Sequence, residues 1–133
     1  MLTCLALVAF NIASLGDIPK MTSDFEIEAR ALSSMSAVSP DLVTRIQAFS
    51  GEAHQLSVVL HGAGVGQDMP CIFQGIATDA RERAAEFSAA DTQAEQDAAF
   101  MNLRVLMDDA VLLAPMAAAA AADRADERNI AFR

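Results

Sequence analysis

Two histidines, His54 and His61, are the side chains of this sequence best suited to chemistry near neutral pH. They are seven residues apart, so a helix places them on one face at a separation of about 10 Å. Because zinc–imidazole bonds are about 2 Å long, this helix alone does not hold one metal ion through both rings. Gln47 and Val58 fall on the same face. We interpret these four residues as an exposed interaction surface for a partner helix and call them the histidine row: Gln47, His54, Val58 and His61.

The segment Ala53-His54-Gln55-Leu56 gives a second interpretation of the first histidine. It resembles the start of the motif of histidine phosphotransfer domains, which are helical bundles with an exposed histidine halfway along one helix. The resemblance covers four residues and implies that His54 accepts a phosphoryl group. That family usually has lysine three residues and glycine four residues after its histidine, where this chain has Ser57 and Val58.

The other patterns that could indicate chemistry are incomplete. The glycines of 62–66 resemble a dinucleotide-binding loop, but Gln67 stands where its third glycine is needed. Cys4 and Cys71 are far apart and lie outside any zinc-ligand spacing. Cys71 falls in the first turn of a predicted helix, where the helix dipole favours a reactive thiolate. We predict no cofactor, no metal site and no set of catalytic residues, and therefore expect a non-enzymatic protein.

Composition excludes one class of partner. The chain has 133 residues, of which 53% are hydrophobic and 5% aromatic, a size and balance typical of one globular domain. Its 18 acidic and 9 basic residues give a net charge of −9. Such a charge repels phosphate backbones, and no arginine cluster with interleaved aromatic residues offsets it. We therefore expect no binding to nucleic acid.

The N-terminal segment allows three interpretations. Residues 1–16 carry no charged side chain, and their apolar stretch has the length of a signal-peptide core rather than of a membrane span. The first basic residue is Lys20, so the usual positive start of a signal peptide is missing. Residues 1–20 are a core helix, a signal or anchor, or a segment before a true start at Met21. We expect a cytoplasmic protein with residues 21–133 as one domain, or an exported or membrane-anchored one if residues 1–16 act as anchor.

Apolar spacing and capping residues predict an all-α chain. The Ser23–Glu26 capping box starts a helix over about 24–36, and Ser39-Pro40-Asp41 starts one over about 40–61 that Gly62 stops. A third helix covers about 68–90 and a fourth begins after Thr92. Pro115 separates or kinks the alanine-rich end. Short connectors make neighbours antiparallel, so we predict an up-down four-helix bundle with an additional N-terminal apolar segment and a kinked Ala-rich C-terminal helix.

The fourth helix carries two adjacent apolar stripes, which predict contact with two neighbours. The first is Ala98, Met101, Val105 and Leu112, and the second is Ala99, Leu103, Leu106, Ala110 and Leu113. Asp108 falls in the first stripe, and we expect Arg104 to pair with it. So wide an apolar face could exceed what one small bundle covers, which leaves homo-oligomerisation open.

These patterns predict a small acidic helical protein that acts as an adaptor or regulatory module by binding another, unidentified protein. The first alternative is phosphotransfer signalling through His54. The second is an envelope-associated helical protein delivered by residues 1–16.

Overall fold

The computed structural model describes residues 17–131 of the protein, and these residues form four helices. They are α1 (Ile18–Ser33), α2 (Leu42–Gly62), α3 (Asp68–Ala89) and α4 (Gln93–Ala131). The described part of the chain contains no strand, which confirms the all-α class. α2 packs most closely on α3 and α1 on α4, while the α1–α2 and α3–α4 pairs complete the bundle. The predicted four-helix bundle is therefore confirmed.

Two buried serines show how closely α2 approaches α3. Ser50 Oγ donates to the carbonyl oxygen of Ala77 at 2.6 Å, and Ser57 Oγ donates to that of Pro70 at 2.7 Å. A step of seven residues forward on α2 is thus matched by seven residues backward on α3, so the two helices are antiparallel. A serine hydroxyl reaches a neighbouring helix backbone only where nothing larger stands between them. Small side chains therefore set this interface.

An aromatic cluster ties three helices together. The ring of Phe25 on α1 stacks on Phe49 of α2 with centroids 4.3 Å apart, and it meets Phe73 of α3 at 5.5 Å. All three residues are buried. Offset aromatic pairs contribute about 0.5–1.5 kcal/mol beyond the area they bury. These three rings are the largest fully buried side chains of the described residues.

The first helix begins earlier than the capping-box pattern predicts. α1 begins at Ile18 rather than near Asp24, with Asp17 at the N-cap and a proline in the first turn. Thr22 Oγ1 donates back to the carbonyl oxygens of Ile18 and Pro19 at 2.9 and 3.0 Å. Ile18 is buried, so the bundle includes residues 18–20 of the predicted N-terminal segment. The proposals for residues 1–16 lie outside the described residues.

The glycine-containing connector between α2 and α3 is a helix stop. α2 ends at Gly62 as predicted, but the left-handed residue is Gly64, with φ 79°. The Gly64 N–H donates to the carbonyl of His61, and the Val65 N–H donates to that of Leu60. This pair of bonds is the Schellman arrangement, which satisfies carbonyls that a helix end leaves open. Glycine is needed at position 64 because other residues rarely adopt this conformation.

The fourth helix is continuous, so of the two alternatives expected at Pro115, a separate or a kinked alanine-rich helix, the separate helix was wrong. α4 runs from Gln93 to Ala131 with Pro115 inside it. Proline removes one backbone N–H, and its ring crowds the carbonyl four residues earlier, that of Val111. Packing outweighs this cost, because Ala114 and Ala117 on either side of the proline are fully buried.

Pro115→Ala should therefore stabilise the protein by about 1–2 kcal/mol. Alanine restores the hydrogen bond to Val111, although the unfolded chain gains some freedom. Urea unfolding followed by circular dichroism measures the change. Pro40→Ala is the matched control, because Pro40 is exposed in the α1–α2 connector and its replacement should be neutral or mildly destabilising. Unchanged stability for Pro115→Ala would contradict the prediction, and lower stability would show that the fold depends on the proline.

Candidate functional site

The histidine row lies along α2 beside α3, but its members do not share one setting. Gln47, His54 and His61 are exposed, whereas Val58 is half-buried. Val58 was predicted to be exposed, yet its neighbours Ser57 and Val59 are both buried. The close approach of α3 at Ser57 narrows the exposed strip there. The row therefore presents polar atoms and little apolar surface.

His54 lies in a shallow groove between α2 and α3. Its Nδ1 is 2.9 Å from Oε1 of Gln74, an atom that only accepts hydrogen bonds. His54 Nδ1 therefore donates, and in the neutral ring Nε2 keeps its lone pair. The groove encloses about 580 Å³ and is lined by Gln47, His54, Gln74 and Arg81 among others. The lining does not include Val58 or His61. Gln74 and Arg81 were not predicted, because only the packing of α3 on α2 brings them next to His54.

Two further predicted residues are placed by the structure. Cys71 is half-buried in the first turn of α3, and Cys4 lies outside the described residues. The expected pairing of Asp108 with Arg104 was wrong. Asp108 Oδ1 instead accepts a hydrogen bond of 2.6 Å from Ser33 Oγ, and Arg104 Nε donates to the Ser33 carbonyl at 3.3 Å. Ser33 at the end of α1 therefore bonds to both side chains.

An acidic group lies between α1 and α2. Asp24, Glu28 and Glu52 line a shallow cavity of about 320 Å³. Lys20 pairs with Asp24, and Arg45 pairs with Glu28 at 2.9 Å. Glu52 is in no salt bridge within residues 17–131. Partial burial raises the pKa of Glu52, and the negative charges of Glu28 and Asp24 raise it further. Across the same residues, no group of three or more histidine, cysteine, aspartate or glutamate side chains could hold a metal ion.

The outer face of α4 is the most apolar exposed surface of the described chain. Four large side chains are 56–68% exposed there, and we call them the α4 row: Met101, Val105, Leu112 and Met116. The row is about 22 Å long at 1.5 Å per residue. Both stripes of this helix were predicted to contact neighbours. That prediction was wrong for Met101, Val105 and Leu112, since only the second stripe faces the core.

α4 is also the helix of the described part that is long and apolar enough to cross a membrane, with an 18-residue window of mean hydropathy 1.6. In the bundle this hydropathy has two sources. Leu103, Leu106 and Ala110 are buried against other helices, while the α4 row is exposed. A core helix of a globular bundle meets the same criterion of length and composition, although only 28% of this window is buried in the bundle.

The described fold and surfaces define an acidic four-helix bundle with a polar histidine groove on one side and an apolar helical face on another. Comparisons of the chain with protein-family models, with curated proteins and with solved structures found no match.

The setting of Glu52 generates a prediction about pH. A raised carboxyl pKa means that the ionised side chain destabilises the folded state, so this penalty is present at pH 7 and is lost as pH falls through the folded pKa. Glu52→Gln should raise the melting temperature at pH 7 by about 1–2 °C, a small gain because the site is partly solvated. Below about pH 4, under the ordinary value of 4.5, the gain should vanish.

Scanning calorimetry from pH 3.5 to 7.5 measures this difference. Asp79→Asn is the control, because it removes one exposed negative charge of α3 and reports the effect of net charge alone. A gain for Glu52→Gln that persists unchanged at pH 3.5, or one matched by Asp79→Asn at every pH, would contradict the prediction.

Proposed function

We propose that this protein is a non-enzymatic interaction module that binds another protein through the α4 row. The observation that supports the proposal is the exposure of Met101, Val105, Leu112 and Met116 on one side of a single helix. Single apolar side chains on a surface need no explanation, but several large ones on one helix face are typical of interaction sites. The members of the row recur at intervals of four, seven and four residues, which suits a helical partner.

The α4 row replaces the histidine row as the primary surface of this proposal. Val58 is the only apolar member of the histidine row, and it is half-buried. His54 is already hydrogen-bonded to Gln74. A partner on that side would displace water from polar groups and gain little from apolar burial. On α4, each large side chain that a partner covers contributes about 1–3 kcal/mol.

Leu112→Glu should weaken capture of the partner by at least about tenfold without unfolding the bundle. The loss of one covered leucine corresponds to roughly 1.4 kcal/mol or more. Because Leu112 is 68% exposed, the free energy of unfolding should change by less than about 0.5 kcal/mol. Photo-crosslinking from a benzophenone residue at position 105 in host cells, with and without Leu112→Glu, measures capture.

Ile27→Glu is the matched control, since Ile27 is 62% exposed on α1 and outside the row. Crosslinks to another protein that Leu112→Glu removes and Ile27→Glu leaves intact would support the proposal. Crosslinks that neither change affects, or none from position 105 but many from the histidine row at position 47, would contradict it.

A second candidate function is phosphoryl acceptance by His54. The hydrogen bond from its Nδ1 to Gln74 favours this alternative, because it fixes the ring and leaves the Nε2 lone pair available as a nucleophile. With an acyl phosphate donor, Nε2 would attack phosphorus, an N–P bond would form, and the P–O bond to the departing carboxylate would break. Arg81 in the same groove would supply positive charge beside the phosphoryl oxygens.

Incubation with radiolabelled acetyl phosphate tests this candidate. We expect an acid-labile label that His54→Gln abolishes, that Gln74→Ala slows and that His61→Gln retains. His61 is the control because it is an exposed histidine of the same helix outside the groove. No acid-labile label, or equal labelling of the wild type and His54→Gln, would count against phosphotransfer.

A further inference from the structure

The α4 row belongs to a longer repeat, and its one polar position indicates the chemistry of the partner. Outward positions of α4 recur at intervals of four and three residues, the spacing with which one helix faces another. They are Met101, Val105, Asp108, Leu112, Pro115 and Ala119, all exposed, with Met116 beside them. Asp108 stands between Val105 and Leu112. A partner helix that covers the apolar positions must therefore also cover a carboxylate.

The carboxylate of Asp108 has no salt-bridge partner among the described residues, although Arg30 of α1 lines the same surface cavity. Its side chain accepts one hydrogen bond, from the neutral hydroxyl of Ser33. Arg104, four residues earlier, donates to the Ser33 backbone instead. Within the described residues Asp108 is in no salt bridge, and neither is the adjacent Asp109 or Asp97 one turn before the row. Removing a carboxylate from water is costly unless a cation replaces the lost hydration.

A second α4 would bring more carboxylates than cations to this position, because residues 97–116 hold one basic residue, Arg104, and three acidic ones, Asp97, Asp108 and Asp109. If two α4 helices paired in parallel, Asp108 of one chain would face Asp108 of the other. If they paired antiparallel about the middle of the 101–119 repeat, the two Asp108 positions would lie about 6 Å apart along the axis, with both Asp109 residues nearby. Each chain also carries a net charge of −9. Self-association would thus bury like charges together, which is destabilising.

We propose that the α4 row binds an amphipathic helix of a different protein whose apolar seam carries a lysine or arginine opposite Asp108. This inference rests on the proposed function and specifies the partner's chemistry. The apolar positions supply most of the affinity. The cation on Asp108 fixes the register of the two helices and discriminates against acidic helices, including another α4.

A selection from a displayed peptide library tests the proposal with the full chain as bait. The peptides are designed helices of about four heptads with leucine at the seam positions, except for one central position that holds any residue. Binders that also bind the Leu112→Glu chain are removed. We expect lysine and arginine at the central position to be enriched at least tenfold over glutamate and aspartate. With Asp108→Lys as bait, the preference should reverse; with Asp108→Asn, which keeps a partner for Ser33, it should disappear.

The outcomes separate this inference from the function on which it rests. Leu112-dependent binders without a basic preference, or a preference that Asp108→Lys leaves unchanged, would overturn the inference and leave the docking face in place. The absence of any Leu112-dependent binder would count against both. Sedimentation tests whether the partner is a second copy of this chain. If the wild type is a dimer that Leu112→Glu dissociates and Ile27→Glu does not, the α4 row binds a second copy and the inference is overturned. Circular dichroism of each variant confirms that the bait is folded.

Discussion

Short distances between helices are the constraint on which this structure depends. Alanine is the commonest residue of the buried core, and aromatic residues are few. An alanine side chain buries little area, so a core of this kind becomes dense only if the backbones themselves come close. The two serine hydroxyls that reach the backbone of α3 are evidence of that closeness. They also satisfy their own hydrogen-bonding needs where water is excluded.

The same constraint explains why α4 keeps large apolar side chains on its outer side. Ala110, Ala114 and Ala117 face the bundle and are fully buried, while Leu112 and Met116 of the same stretch face outward. Larger residues at the alanine positions would overpack the interface or push the helix away. The core therefore accounts for the inner residues of this stretch and leaves the outer ones without a role in folding. A surface that folding does not require is a natural place to look for binding.

Periodicity predicted the class and most of the helices because the chain is strongly patterned. α2 and α3 follow their apolar repeats closely, and their observed ends differ by at most two residues from those expected. The start of α1 was missed because Ser23 and Glu26 have the form of a cap, whereas Thr22 bonds within a helix that has already begun. The sequence left a separate and a kinked alanine-rich helix open at Pro115, because local propensity opposes continuity there and tertiary packing decides the outcome.

The candidate site was less predictable than the fold, because it depends on which helices pack against each other. Spacing alone found both stripes of α4 but gave no means of deciding which one the other helices cover. The partners of His54 in its groove come from α3, more than twenty residues along the chain in the case of Arg81. The misassigned partner of Asp108 has the same origin. An interval of four residues suggested Arg104, but Ser33 at the end of α1 reaches both side chains.

The pairing of the first helix with the last has a consequence for synthesis. α1 packs more extensively on α4 than on α2, its neighbour in sequence, whereas α2 and α3 form the closest pair and are adjacent in the chain. As the polypeptide emerges from the ribosome, α2 and α3 can associate as soon as both are out, because the loop between them is short. α1 is synthesised before α4, so much of its apolar face stays exposed until α4 has been translated. A nascent chain paused before α4 would expose that face to chaperones until α4 covers it.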